Sequence, residues 1–518
     1  MSIPSIFNDV LGPVMRGPSS SHSAAALRIG RLARDLMGGR LDRAVVDYDP
    51  SGSLVTTHDS QGSDLGLTGG LLGWEPHDPR LARYRDEARD AGLEIDVRYL
   101  DYGAEHPNTY RLTLANEDET RHLTAISTGG GMIEVQAVDG VPVALGGDLY
   151  EAFVFTDGDS EIDLEAIVHE HGLVAGQIHA TDSGVVVHWR SRVPIPAAVR
   201  ALVAGDLRLF EPVLPVLANT DAELPFRGAD AFLDLVGEDG GSDPLWAWAL
   251  RYEACRAGWS ESEVLERAHD VLAILRTSVE RGLEGREIED RLLPTQVRGF
   301  LDSQRQDRLI PSDVHNRMIL YVTAIMEAKS SMETIVAAPT AGSCATMPGA
   351  LLAVGATCGQ DDEALAKALL VAGMIGLFIT EGATFSAELG GCMAECGSGS
   401  AMAAAGIAEM MGATPTVALS AASLALQNTF GMTCDPIANR VEAPCLGKNA
   451  MAAGNAINSV NMALAGYQHV VPLDEVIVAM NEVAQAMPRE LRCTSLGGLS
   501  VTPTSKRLEA MLCRKPGC

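Results

Sequence analysis

The sequence predicts a chain in three parts: an α/β region over residues 1–140, a small α+β module over 141–220 and a mainly all-α region over 221–518. Three observations carry this reading. Strand and helix signals alternate along the first part, a compact β-α-β-β pattern follows, and from about residue 222 strands nearly vanish while helical periodicity continues. At 518 residues the chain is also long for one core, so several domains are expected.

In the first part, 23–37 reads as a helix closed by Gly38-Gly39, and 43–48, 94–100 and 110–115 read as strands by alternation and β-branched content. Residues 80–91 form a charged amphipathic helix. In the second part a strand at 150–155 precedes a helix at 164–171, and two strands at 174–179 and 184–189 flank an Asp182-Ser183-Gly184 turn. The third part holds helical segments at 243–257, 260–281, 312–331, 361–380, 398–412, 417–430, 449–466 and 473–486. Several start after Ser, Asp or Pro, and Asp474 and Glu475 fill a first turn where they suit the helix dipole.

Composition narrows the function. A net charge of −29 argues against nucleic acid or an anionic membrane surface as partner, since both need a basic footprint. The most apolar run, 368–380, falls short of the roughly 20 residues a spanning helix needs, and reads as a buried helix. No charged leader followed by an apolar stretch opens the chain, so a cytoplasmic protein acting on a small molecule is expected.

Cysteine is unevenly placed: of ten, only Cys255 precedes residue 344. In a cytoplasmic enzyme such concentration reads as metal or redox chemistry more readily than as disulfides. Cys392 follows Gly390-Gly391, Cys434 opens Cys434-Asp435-Pro436, and Cys445 closes Glu442-Ala443-Pro444-Cys445 before a helix. All three stand at breaks between helices, where backbone amides can donate to sulfur and a helix N-terminus favours thiolate. The plainer reading is three small buried hydrophobes. The spacing matches neither a ferredoxin nor a zinc ribbon, so it leaves both open.

Four segments of the third part, IVAAPTAGSCATMP, SAELGGCMAECGSGSAMAAA, CDPIANRVEAPCLGKNAMAAGNA and RCTSLGGLSVTPTSKR, closely resemble the α domain of iron–sulfur-dependent L-serine dehydratases. GPSSSHSAAALRIG, GSLVTTHDSQGSD, HPNTYRLTL and STGGGMIEVQAVDG resemble the β domain of the same enzymes, in collinear order, and the module between them resembles an ACT-type regulatory unit. The resemblance implies that Cys392, Cys434 and Cys445 hold a [4Fe–4S] cluster with one iron free of cysteine. Such an iron is a Lewis acid for a departing hydroxyl. A base removes the Cα proton, and the enamine hydrolyses to a 2-oxo acid and ammonia, with no pyridoxal phosphate. Some members end in a cysteine whose tail reaches the open iron, a role for Cys518 here, with Cys513 as competitor. Cys396 is expected to be a packed small residue, and the assembly a homodimer.

Gly17 to Ser23 precedes the first helix. The hydroxyls of Ser19, Ser20 and Ser21 with free amides at a helix N-terminus suit a carboxylate, the alternative being a cap without ligand. His22 matches the histidine of the family's SSSHT motif, and an imidazole can act as acid or base near neutrality. The loop Pro339 to Ser343 is expected to bind substrate, through Thr340 and Ser343, or to supply backbone around the cluster.

Where the family typically reads GSLALTGKGHGTD, Gln61 occupies the position of the second histidine, and glutamine cannot serve as a general base; His58 is the nearest substitute. Lys329 stands for a usual asparagine, Gln427 for a lysine, and Asn439-Arg440 for a small apolar pair. His106-Pro107-Asn108 matches and is expected to support the fold. The leading expectation is elimination of water from L-serine. A sibling lyase for another β-substituted amino acid would account for Gln61 and Lys329. A non-catalytic amino-acid or cluster sensor is opposed by the retention of all three ligand positions.

Overall fold

Glycine notches determine how the first residues of the chain meet its later helices. In the computed structural model, which describes residues 3–157, 162–181, 184–220, 222–237, 243–286 and 291–512, the segment Ile6–Val10 lies against the helix Asp362–Gly382. A Cβ on Gly373 would stand 2.6 Å from Ile6 and one on Gly376 2.1 Å from Val10, so only glycine permits this approach. Val14–Met15 then pairs antiparallel with Ile335–Val336. The start of the chain is thus part of the helical core, and the serine loop after it is delivered to the loop after Val336.

The six-stranded sheet of the first part runs in spatial order Glu94–Tyr99, Arg43–Tyr48, Thr109–Ala115, Thr120–Gly129, Met132–Val138 and Val141–Leu145. Only its first pair is parallel. The last three strands were not expected. Two of them join through Asp139-Gly140, both with positive φ, a two-residue hairpin that keeps Val141–Leu145 in this sheet although it lies past residue 140. The expected helix at 80–91 is a tight 3₁₀ turn, Pro79–Arg83, followed by Tyr84–Asp90. The helices Ala25–Leu36 and Ser63–Leu71 pack at glycine distance: a Cβ on Gly66 would meet the Ser23 carbonyl oxygen at 1.9 Å, and one on Gly70 that of Leu27 at 2.0 Å.

A second sheet orders Asp206–Phe210, Tyr150–Thr156, Gly184–Ser191 and Ala175–Thr181, all antiparallel, with helices Leu164–His171 and Ala197–Arg200 in the connections. The expected β-α-β-β unit therefore gains a short helix and a fourth strand. Asp182 and Ser183, where a turn was expected, lie outside the described residues.

Beyond residue 222 the described chain is helical apart from Ile335–Val336 and an isolated bridge at Cys434. Asp362–Gly382 is long and apolar enough to cross a membrane by length and composition, which corrects the shorter span expected; 78% of its most apolar window is buried inside the protein. The helices Ala229–Val236, Gln296–Arg305, Thr346–Cys358 and Pro503–Leu512 were not expected.

Candidate active site

Local chain breaks present the cysteines. Cys392 ends the helix Ala387–Cys392 one residue after Gly391, whose φ of 64° and ψ of −167° interrupt it. A Cβ on Gly391 would lie 2.8 Å from the Met432 carbonyl oxygen, so glycine lets the Cys434 segment approach. Cys434 bridges to Arg492, its N–H donating to the Leu491 carbonyl at 2.8 Å. Cys445 starts the helix Cys445–Leu464 after a cis Ala443-Pro444 bond. All three are buried.

The sulfurs of Cys392 and Cys434 and a carboxylate oxygen of Glu395 lie within 4.8 Å of one another. Cys434 and Cys445 line a small cavity of about 20 Å³ together with Ser19, Gln61, Glu388 and Glu395. Hydrogen bonds with Cys392 and Cys493, then burial, push the Cys434 thiol well up; burial and the neighbouring Cys392 do the same for Cys445. Buried thiols crowded in this way repel one another once ionised, and a cationic centre between them removes that cost. Lys448 adds a positive charge at the rim, with Nζ 3.9 Å from Cys392 Sγ, donating to Asp435 Oδ1 at 2.7 Å and the Thr433 carbonyl at 2.6 Å. The donor set fits a thiolate-bound metal group, with Lys448 and Asp435 as its outer support.

The N-terminal region supplies the opposite wall. Ser20 Oγ accepts from Ala341 N–H at 3.2 Å, joining the serine loop to the 339–343 loop, and Ser21 is buried in the same turn. Thr57 Oγ1 donates to the Ser53 carbonyl at 2.7 Å, so its contact with His22 Nε2 at 2.8 Å makes Nε2 the donor. Burial holds the His22 imidazole below its ordinary range. The neutral ring then carries its proton on Nε2, and Nδ1 faces Ser19 Oγ at 3.0 Å and Glu388 Oε1 at 3.6 Å. Thr340 Oγ1 donates to Glu395 Oε1 at 2.6 Å, and burial pushes the Glu395 carboxyl up to about 7. Ser343 closes its own turn, 3.1 Å from Thr340 Oγ1, while Gly342 meets the cavity.

The structure therefore brings together Ser19, His22, Gln61, Thr340, Cys392, Cys434 and Cys445. His58 goes elsewhere. Its Nδ1 pairs with Asp64 at 2.8 Å, its Nε2 with Tyr99 at 2.8 Å, and it lines a separate cleft of about 770 Å³. Cys513 and Cys518 lie outside the described residues. Sequence reasoning passed over Glu388, Glu395, Lys448 and Cys493, although each lies inside a quoted motif. Cys493, with φ of 53°, packs beside Cys392 and Cys434. Cys396 is buried within electrostatic reach of Cys392 and Cys445. Lys329 is buried too and donates to the Val441 carbonyl at 2.7 Å, holding the loop after Cys434. Gln427 donates to backbone carbonyls of Ser423 and His469, away from the cavity. Asn108 accepts from Ser53 Oγ within the first sheet region.

A family model described as serine dehydratase alpha chain matches residues 173–500. The chain belongs to that family. It is an enzyme of the lyase class. Over 281 residues it is 35% identical to the L-serine dehydratase alpha chain of Peptoniphilus asaccharolyticus, covering 54% of this chain and 96% of that one. The probable L-serine dehydratase alpha chain of Bacillus subtilis is 37% identical over 48% of this chain and 83% of its own. The L-serine dehydratase of Streptomyces coelicolor is 28% identical over 497 residues, 94% of this chain and 96% of its own, so likeness to the family extends through the N-terminal region as well.

Proposed function

We propose that this family member is a [4Fe–4S]-dependent, cytoplasmic, homodimeric L-serine dehydratase that converts L-serine to pyruvate and ammonia. The observation that carries the reading is one buried cavity where cysteines of the helical half face Ser19, Gln61 and Glu388. Cys392, Cys434 and Cys445 would hold the cluster. When bound, it supplies an iron free of cysteine as Lewis acid for the departing hydroxyl. The protein's own groups do the rest. The turn at Ser19, Ser20 and Ser21 orients the substrate carboxylate. Glu395, with a carboxyl near 7, exchanges a proton at its Oε atoms, and His22 presents Nδ1 to Glu388 as a second proton site. Closure of the cavity by both halves of the chain excludes water. The four-stranded module, in β-α-β-β-α-β order, is read as an ACT-like regulatory unit between the N-terminal and catalytic regions.

Anaerobic purification tests the reading. Brown protein that releases 2-oxo acid from L-serine is expected, and Cys434→Ala should lose colour and activity together. Colourless, iron-free protein after reconstitution would overturn it. Gln61, inside the cavity where the family has histidine, favours one second reading: a sibling lyase for another β-substituted amino acid. Brown protein inert to serine but active on such a relative would select it.

A further inference from the structure

Asn439 sits in a loop where two successive non-glycine residues, Ala438 and Asn439, have positive φ of 49° and 56°. Asparagine adopts this backbone more readily than most residues. Its amide is fully engaged. Nδ2 donates to the Thr56 carbonyl and to Ser60 Oγ at 2.6 Å, while Oδ1 accepts from Gln61 Nε2 at 3.0 Å and Ser495 Oγ at 2.8 Å. Two N–H groups and two lone pairs are the whole capacity of a primary amide. A flipped amide would set Nδ2 against the Gln61 donor and Oδ1 against the Thr56 carbonyl, so its orientation is fixed.

That orientation is passed on. With Oδ1 presented to it, Gln61 must offer Nε2 to Asn439, and Cys493 Sγ then lies within reach of both ends of the amide, accepting from Nε2 at 3.5 Å and donating to Oε1 at 3.6 Å. Asn439 lines the outer cleft and Gln61 the inner cysteine cavity, while Val441 lines both. The pair stands where the two spaces meet and joins segments 378 residues apart.

We propose that Asn439 is a positioning residue acting through Gln61: it holds Nε2 of the Gln61 amide, so that Oε1 is the acceptor left available to the cavity. A thiol is a weak donor and a substrate hydroxyl a stronger one, so this acceptor favours substrates whose β-substituent or amino group can donate. The inference rests on the lyase reading for its consequence, not for the contact itself.

Asn439→Gly tests it, because glycine accepts the positive φ and removes only the amide. In cluster-free protein, the Tm loss of Asn439→Gly/Gln61→Ala should fall short of the sum of the two single losses; a plain sum overturns the link. In reconstituted enzyme, Asn439→Gly should lower kcat/KM for L-serine about as far as Gln61→Ala does. The double variant should then match Gln61→Ala within about twofold, since a residue acting only through Gln61 has nothing left to position. Multiplied losses would overturn the proposal. Should Asn439→Gly not fold, Asn439→Asp replaces it; it keeps the acceptor toward Gln61, so kcat/KM should fall far less than in Gln61→Ala, and an equal fall would overturn the proposal. Wild-type protein inert to serine would refute the lyase reading, while the thermal cycle still decides the Gln61–Asn439 link.

Discussion

Replacing Gly66 with alanine forces a methyl group into the backbone of the serine loop. The added Cβ would lie 1.9 Å from the Ser23 carbonyl oxygen and 2.8 Å from its carbon. Ordinary contact requires separation by at least about 1 Å more. No side-chain rotamer relieves this, because the obstacle is backbone. Alanine returns about 1 kcal/mol of helix propensity. Overpacking of this kind costs about 1–3 kcal/mol, and a backbone clash belongs at the upper end, so a net loss of about 2 kcal/mol is expected. Function should suffer more than stability. Ser23 directly follows His22, and a displacement of about 1 Å at a reacting group can cost about 10²-fold in rate. Gly70→Ala is the matched control: its clash, 2.0 Å from the Leu27 carbonyl, lies one turn farther from His22. Thermal melts and kcat/KM on both variants are the assay. Equal activity losses at equal stability, or wild-type behaviour of Gly66→Ala, would refute the claim that this helix contact positions the serine loop.

Burial pushes the Glu253 carboxyl up to about 7 from its ordinary 4.5, beneath donors from Ser5 Oγ and Ile6 N–H. A folded state that holds a proton more tightly gives stability complete below about pH 4.5 and lost as pH rises through about 7, here about 3 kcal/mol. Urea midpoints of Glu253→Gln should therefore fall less than wild type between about pH 5 and pH 8, with a residual slope from Asp9, which is pushed up to about 6. Lys448→Met removes the cation beside Cys392 and leaves Asp435 with only its Leu499 N–H partner; iron and labile sulfide retained after reconstitution should drop, with affinity lower by about 10-fold or more. Unchanged iron content would contradict the supporting role. Gln61→His restores the residue typical of the family, and kcat/KM for L-serine should rise by about 10²-fold if a missing base limits the wild type; no rise would place the proton chemistry on other groups.

Helices such as Leu164–His171 and Leu473–Ala486 were legible to within a residue because capping residues and amphipathic spacing are local signals. Thr346–Cys358 was not, since every residue from Thr346 to Gly355 is buried and the segment has no polar face to give it a period. The strands from Thr120 to Leu145 were missed for a related reason: burial along Thr120–Gly129 does not alternate cleanly. The Asp139-Gly140 hairpin signal was nevertheless present in the sequence.

For the site, motifs and chain breaks were enough to single out Cys392, Cys434, Cys445 and His22. Only the tertiary structure turned His58 into a separate cleft, held between Asp64 and Tyr99, and brought Cys493, Glu388 and Glu395 to the cysteines. The physical reason is range. A turn, a cap or a helix face is determined by neighbours a few positions away, whereas the contact of Gln61 with Asn439 joins residues 378 positions apart and depends on how distant segments pack. No local pattern in the chain encodes that distance.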